Sequence, residues 1–124
     1  MTPTFWDVFG FSIERADVDG VTLRMSVTEA LLSPFGQVLG GVVAALFDTA
    51  LAVAIARRLE HEERIATHNL NVSFVSFTRD RTLSCHARVV SLRRSVAIAE
   101  GEVMAVDGAL VAKAVGTFGV RRQG

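Results

Sequence analysis

The chain has 124 residues, half of them apolar, and its thirteen basic and thirteen acidic side chains cancel. That length fits one domain spanning 1–124, and the neutral balance leaves no electrostatic footprint for duplex nucleic acid and no polybasic membrane anchor. A mean hydropathy of +0.38 is more than a lone small core needs, so some apolar surface is expected to be buried against another subunit.

At the N-terminus, "MTPTFWDVFG" lacks a basic region followed by an apolar run, so no signal peptide is expected. "TPTFWDVFG" reads as a short helical turn, with Thr4 as N-cap, Asp7 three residues later and Gly10 as the stop. Next, "FSIERADVDG" ends in Asp19-Gly20, a strong hairpin signal. Val21, Leu23, Met25 and Val27 then alternate with Thr22, Arg24 and Ser26, as in a strand with one buried face. "TEALLSPFGQVLGG" is a loop, punctuated by Pro34, Gly36 and Gly40-Gly41.

The segment 40–59, "GGVVAALFDTALAVAIARRL", is too long and too rich in alanine for a strand, and Arg57-Arg58 suit a helix end. Its apolar run over 42–56 is shorter than the ~20 residues that cross a bilayer, so a cytoplasmic protein is expected. Being apolar on every side, this helix should be surrounded rather than laid on a surface. Four strand-like runs follow: "THNLNVSFVSF", "TLSCHARVVSL", "SVAIAEGEVMAV" and "ALVAKAVGTFGV", the last two flanking a hairpin turn at Asp107-Gly108. The single cysteine, Cys85, cannot staple the fold and reads as a small core residue. One long buried helix and about six mostly antiparallel strands make an α+β fold, a sheet curled around a central helix.

The anomaly is Asp48, in the middle of the apolar helix. An acid in a helix interior is ordinarily solvent-facing, or bound to an Arg or a backbone amide. Asp48 lies too deep to cap the helix, however, and its helical neighbours Ala44, Ala45, Leu51 and Ala52 are all apolar. A charged carboxylate there needs a partner or a bound water, which makes it a candidate general base or nucleophile. The Gly40-Gly41 pair admits two readings as well. It could simply make a tight loop-to-helix turn, or it could let a substrate approach unpaired amides at the positive end of the helix dipole.

Distance links the two features. Eight helical residues separate Gly40 from Asp48, about 12 Å at ~1.5 Å per residue, so one carbonyl cannot meet both within a subunit. Two antiparallel copies of the helix could bring Gly40 of one chain towards Asp48 of the other, and small residues at Gly41, Ala44, Ala45 and Ala52 would permit that approach. A catalytic reading therefore predicts an obligate dimer.

The stretch "GQVLGGVVAALFDTALAVA" resembles the helix motif of the hotdog-fold thioesterases, especially the small phenylacetate-pathway-type (PaaI-like) acyl-CoA thioesterases. The resemblance extends to "TPTFWDVFGFSIE", "THNLNVSFVSF" and "RRSVAIAEGEVMAVDGALVAKAVGTFGV". It implies a hotdog fold assembled as a homodimer, paired into a homotetramer as such relatives are. It also implies hydrolysis of an acyl-CoA. Gly40 would supply the amide that polarises the thioester carbonyl, and Asp48 of the partner subunit would activate water or attack. Thr67 would help to hold the water or the acid, and Arg93 and Arg94 could contact the phosphates of the CoA carrier. Ser33, Leu39, Gly41 and His68 are the further candidates for the substrate pocket. A double Arg in a turn is ordinarily just solvated, and His68 reads more readily as a surface or interface histidine than as a pocket residue.

Two positions depart from the family pattern. Leu39 stands where a His usually precedes the glycine pair, and Ser33, six residues earlier, stands where relatives often have Asn. Both changes fall on the loop that contacts the acyl group, which implies an atypical pocket beside a retained Gly40 and Asp48. The alternative is a non-catalytic acyl-CoA or fatty-acyl binding protein of the same fold. No metal or redox cofactor is needed, since coenzyme A is part of the substrate, and His61, His68 and His86 show no metal-ligand spacing with Cys85.

Overall fold

A computed structural model describes residues 2–60 and 62–122. His61 falls outside them. The order of elements is α1 (Phe5–Phe9), β1 (Phe11–Asp17), β2 (Gly20–Ser26), a short 3-10 turn (Glu29–Leu31), α2 (Gly40–Ala56), β3 (Glu63–Phe74), β4 (Thr82–Leu92), β5 (Val96–Ala105) and β6 (Leu110–Arg122). The six strands form one antiparallel sheet in the order β1-β2-β4-β5-β6-β3. This is the hotdog fold, with α2 as the filling.

Local chemistry explains the joints. The hydroxyl of Thr4 accepts the amide of Asp7 while the carboxylate of Asp7 takes the amide of Thr4, a reciprocal cap that starts α1. Gly10 ends α1 in the left-handed region (φ 69°), and a Cβ there would run into the carbonyl oxygen of Ser26. The first hairpin turns on Val18-Asp19 rather than on Asp19-Gly20, because Asp17 pairs with Gly20 and Gly20 is already the first residue of β2. Gly20 (φ 146°) earns that position by its close approach to β4, where any Cβ would strike the carbonyl of Ala87. The loop after β2 is less irregular than its composition suggests, since it holds the 3-10 turn and a bridge between Leu32 and Val38.

The core lies between α2 and the inner sheet face. Val42, Val43, Leu46, Phe47, Ala50, Leu51, Ala54 and Ile55 of α2 are buried against Leu23, Met25, Leu83, Val103 and Phe118. Full burial of each large side chain stabilises by about 1.5–3 kcal/mol. The composition of α2 predicts a helix covered on every side, but in the protomer it is not. Gly41 is exposed, and Ala44, Ala45, Asp48, Thr49, Ala52 and Val53 are only half-buried, so one stripe of α2 is open in the protomer. The open stripe contains all four small residues expected to let two helices meet.

Candidate active site

Asp48 lies on the open stripe of α2, and the hydroxyl of Thr67 donates to its Oδ1 at 2.7 Å. A β-bulge makes this bond available. The register between β3 and β6 shifts between Thr67 and Asn69, leaving His68 as the extra residue. Ile65 and Thr67 therefore face the helix before the bulge, and Leu70, Val72 and Phe74 face it after the bulge. Without the extra residue, a two-residue period would turn either Thr67 or the Leu70–Phe74 set away from α2. Asp48 lines a cavity of about 320 Å³ together with Phe5, Trp6, Thr49, Ala52, Val53, Ala56 and Ile65, and Thr67 reaches it only through its bond to Asp48.

At the other end of the same face, α2 begins at Gly40 with no side-chain cap from Leu39. The amides of Val42 and Val43 both reach back to the carbonyl of Leu39, whereas those of Gly40 and Gly41 have no hydrogen-bond partner among the described residues. Gly41 is open, with nothing within 4 Å of a would-be Cβ. Gly40 has the ring of Phe74 over it, 3.3 Å from where a Cβ would stand. Gly40, Ser33 and Leu39 line a second cavity of about 430 Å³ together with Val38, Val43, Phe74, Phe77 and Val111. This cavity and the Asp48 cavity share no lining residue. A cleft of about 480 Å³ near the far end of α2, beside Arg57 and Arg58, contains none of the candidate residues.

Of the residues singled out in the sequence, Asp48 and Thr67 are bonded to each other, and Ser33, Leu39 and Gly40 surround one cavity. Ser33 is already engaged, because its Oγ accepts the amides of Phe35 (3.2 Å) and Gln37 (3.3 Å) and so pins the loop. His68 is exposed, with its ring over Gly119, and lines neither cavity. Arg93 and Arg94 are exposed in the β4–β5 turn, also outside both cavities of the protomer. The aromatic residues Trp6, Phe74 and Phe77 were not among the candidates. Phe74 continues the alternation of β3, the one signal by which it could have been placed on the helix side. Cys85 is fully buried, and burial pushes its thiol up, with the charge of Glu102 adding to the effect, so it stays protonated and inert.

A family model described as the thioesterase superfamily matches residues 35–112, a span containing α2, β3, β4 and β5 and the α2 residues of both candidate cavities. The chain belongs to the thioesterase superfamily. Among solved structures it is similar to a phenylacetic acid degradation-related protein from Ralstonia eutropha, with 31% identity, a TM-score of 0.88, and coverage of 96% of this chain and 91% of that one. A Staphylococcus aureus protein shares the fold at 20% identity and a TM-score of 0.92, over 97% of this chain and 100% of that one. So does a Bacillus halodurans protein solved with CoA, at 23% identity and a TM-score of 0.87, over 98% of this chain and 78% of that one. A search of curated proteins gave no match. Within the superfamily, then, this chain is phenylacetate-type in its likeness. No helix among the described residues is long and apolar enough to cross a membrane.

Proposed function

We propose that the protein is an acyl-CoA thioesterase that hydrolyses its substrate to a free acid and CoA, in sites built across a homodimer. The observation that carries this reading is the division of the groups along α2. A carboxylate held by Thr67 lies at one cavity, and unpaired amides at the helix start lie at another. The thioester carbonyl lies against the Gly40 amide, which stabilises the oxyanion as the carbonyl carbon becomes tetrahedral. Asp48 of the partner subunit activates the attacking water or attacks directly, with Thr67 of that subunit fixing one carboxylate oxygen and leaving the other free. The CoA-bound structure of the Bacillus halodurans protein supports a CoA-bearing ligand for this fold. The uncovered stripe on α2 supports the helix-to-helix approach that joins the two half-sites, and the resemblance to PaaI-like enzymes implies pairing of such dimers into a homotetramer.

The test is thiol release from short, medium, long and aromatic acyl-CoAs, comparing the native protein with Asp48→Asn, which keeps the size and removes the charge. The native protein is expected to turn over at least one member, and the variant to lose about 100-fold or more with its fold intact. Binding of acyl-CoAs by both proteins without hydrolysis would replace this reading by a non-catalytic carrier, with Leu39 marking the lost activity.

A further inference from the structure

We propose that the cavity beside Gly40 selects an uncharged, largely hydrocarbon acyl group and rejects acyl groups that end in a carboxylate. This deepens the thioesterase reading and rests on it. The cavity holds about 430 Å³, and its apolar walls are Val38, Leu39, Val43, Phe74, Phe77 and Val111. No Asp, Glu, Lys, Arg or His lines it.

Its hydroxyls are already committed to the backbone. Ser33 accepts the amides of Phe35 and Gln37. Ser76 donates to the carbonyl of Leu110 at 2.8 Å, and Thr78 accepts the amide of Asp80 at 3.0 Å. Among the lining side chains only the carboxamide of Gln37 makes no hydrogen bond to the described residues, and it is neutral. Arg79 approaches from outside the lining, where its guanidinium donates to the carbonyl of Phe35 at 3.4 Å. Among the lining residues the one feature that favours an anion is the start of α2, and in the proposed complex the thioester carbonyl occupies it. A carboxylate at the far tip of the acyl chain would lie a chain's length from those amides, desolvated and without a cation. A methyl-ended chain or an unsubstituted ring meets only matching surface.

Leu39 is the residue that sets this selection. It is 44% exposed and makes no capping bond, so its identity bears on the cavity rather than on the helix. The test uses non-hydrolysable S-alkyl-CoA thioethers, namely octyl-CoA and 7-carboxyheptyl-CoA, titrated by calorimetry against CoA itself. Octyl-CoA is expected to bind at least about 30-fold more tightly than CoA, and the carboxylate analogue no more tightly than CoA. Leu39→Lys is expected to narrow the gap between the two analogues by about tenfold or more. Equal binding of the two analogues by the native protein, an unmoved ratio in Leu39→Lys, or octyl-CoA binding no better than CoA would each overturn the proposal. Turnover of octanoyl-CoA is measured separately. The binding pattern without turnover supports the selection and sinks the thioesterase reading, whereas turnover without the pattern does the reverse.

Discussion

The two ends of the exposed stripe on α2 solve different problems with different material. At its start, the candidate functional groups are backbone amides, and the surrounding side chains carry no charge. About two turns later the candidate is a side chain, Asp48, whose carboxylate is held by one hydroxyl from β3. A backbone group is fixed by the helix itself, whatever side chains surround it. A carboxylate on an open face needs a second element to aim it, and here a bulge supplies that element. Oxyanion stabilisation at the Gly40 end should therefore be lost only when its N–H is removed, with the side chains around it acting on which acyl group binds, while the Asp48 end should fail when either of two side chains loses its polar atom.

The largest effect is expected from deleting the amide. Gly40 is the first residue of α2, where proline suits the helix, and Leu39 is already extended (φ −64°, ψ 143°), as a residue before proline must be. Gly40→Pro removes the N–H and should lower kcat by about 10²- to 10³-fold, with helicity by circular dichroism unchanged. An undiminished kcat would remove the backbone amide from the mechanism.

Next is the aim of the acid. Thr67→Val keeps the shape and deletes the hydroxyl that donates to Asp48, and should lower kcat about tenfold with KM little changed, as steady-state kinetics would show. An equal loss in KM would instead mean that Thr67 contacts substrate. The smallest effect belongs to the double variant Arg93→Ala, Arg94→Ala. On the proposal that these exposed side chains meet the CoA phosphates, the variant should raise KM about two- to fivefold at low salt and not at high salt, leaving kcat alone. A salt-independent change would point to a structural part for that turn.

Much of this was legible in the sequence where cause and effect are close along the chain. The cap between Thr4 and Asp7, the stop at Gly10, both hairpins and the single long helix rest on local chemistry, and Asp48 stood out because its helical neighbours are apolar. The strand order was not legible, because β3 crosses to the far edge to pair with β6, a partner some fifty residues away. The bulge at His68 was hidden for a related reason. "THNLNVSFVSF" alternates correctly from Leu70 to Phe74, and only pairing with β6 reveals that the phase changes at Thr67. Ser33 shows a third limit. Its residue type advertises a hydroxyl for the substrate, whereas the loop spends that hydroxyl on its own amides. The Gly40 cavity was unreadable because its walls come from the loop before α2, from α2, from the end of β3 and the chain beyond it, and from β6.

The central claim is that each site takes its amide from one protomer and its acid from the other. Mixing the two inactive variants, Gly40→Pro and Asp48→Asn, under conditions that exchange subunits tests it most directly. In an isologous dimer the mixed species regains one intact site, because Gly40 of one chain faces Asp48 of the other. The account predicts recovery of about a quarter of native activity from an equal mixture with random exchange. A mixture that exchanges subunits, as mass spectrometry would confirm, yet stays as inactive as its components would contradict it and place both groups in one chain's site.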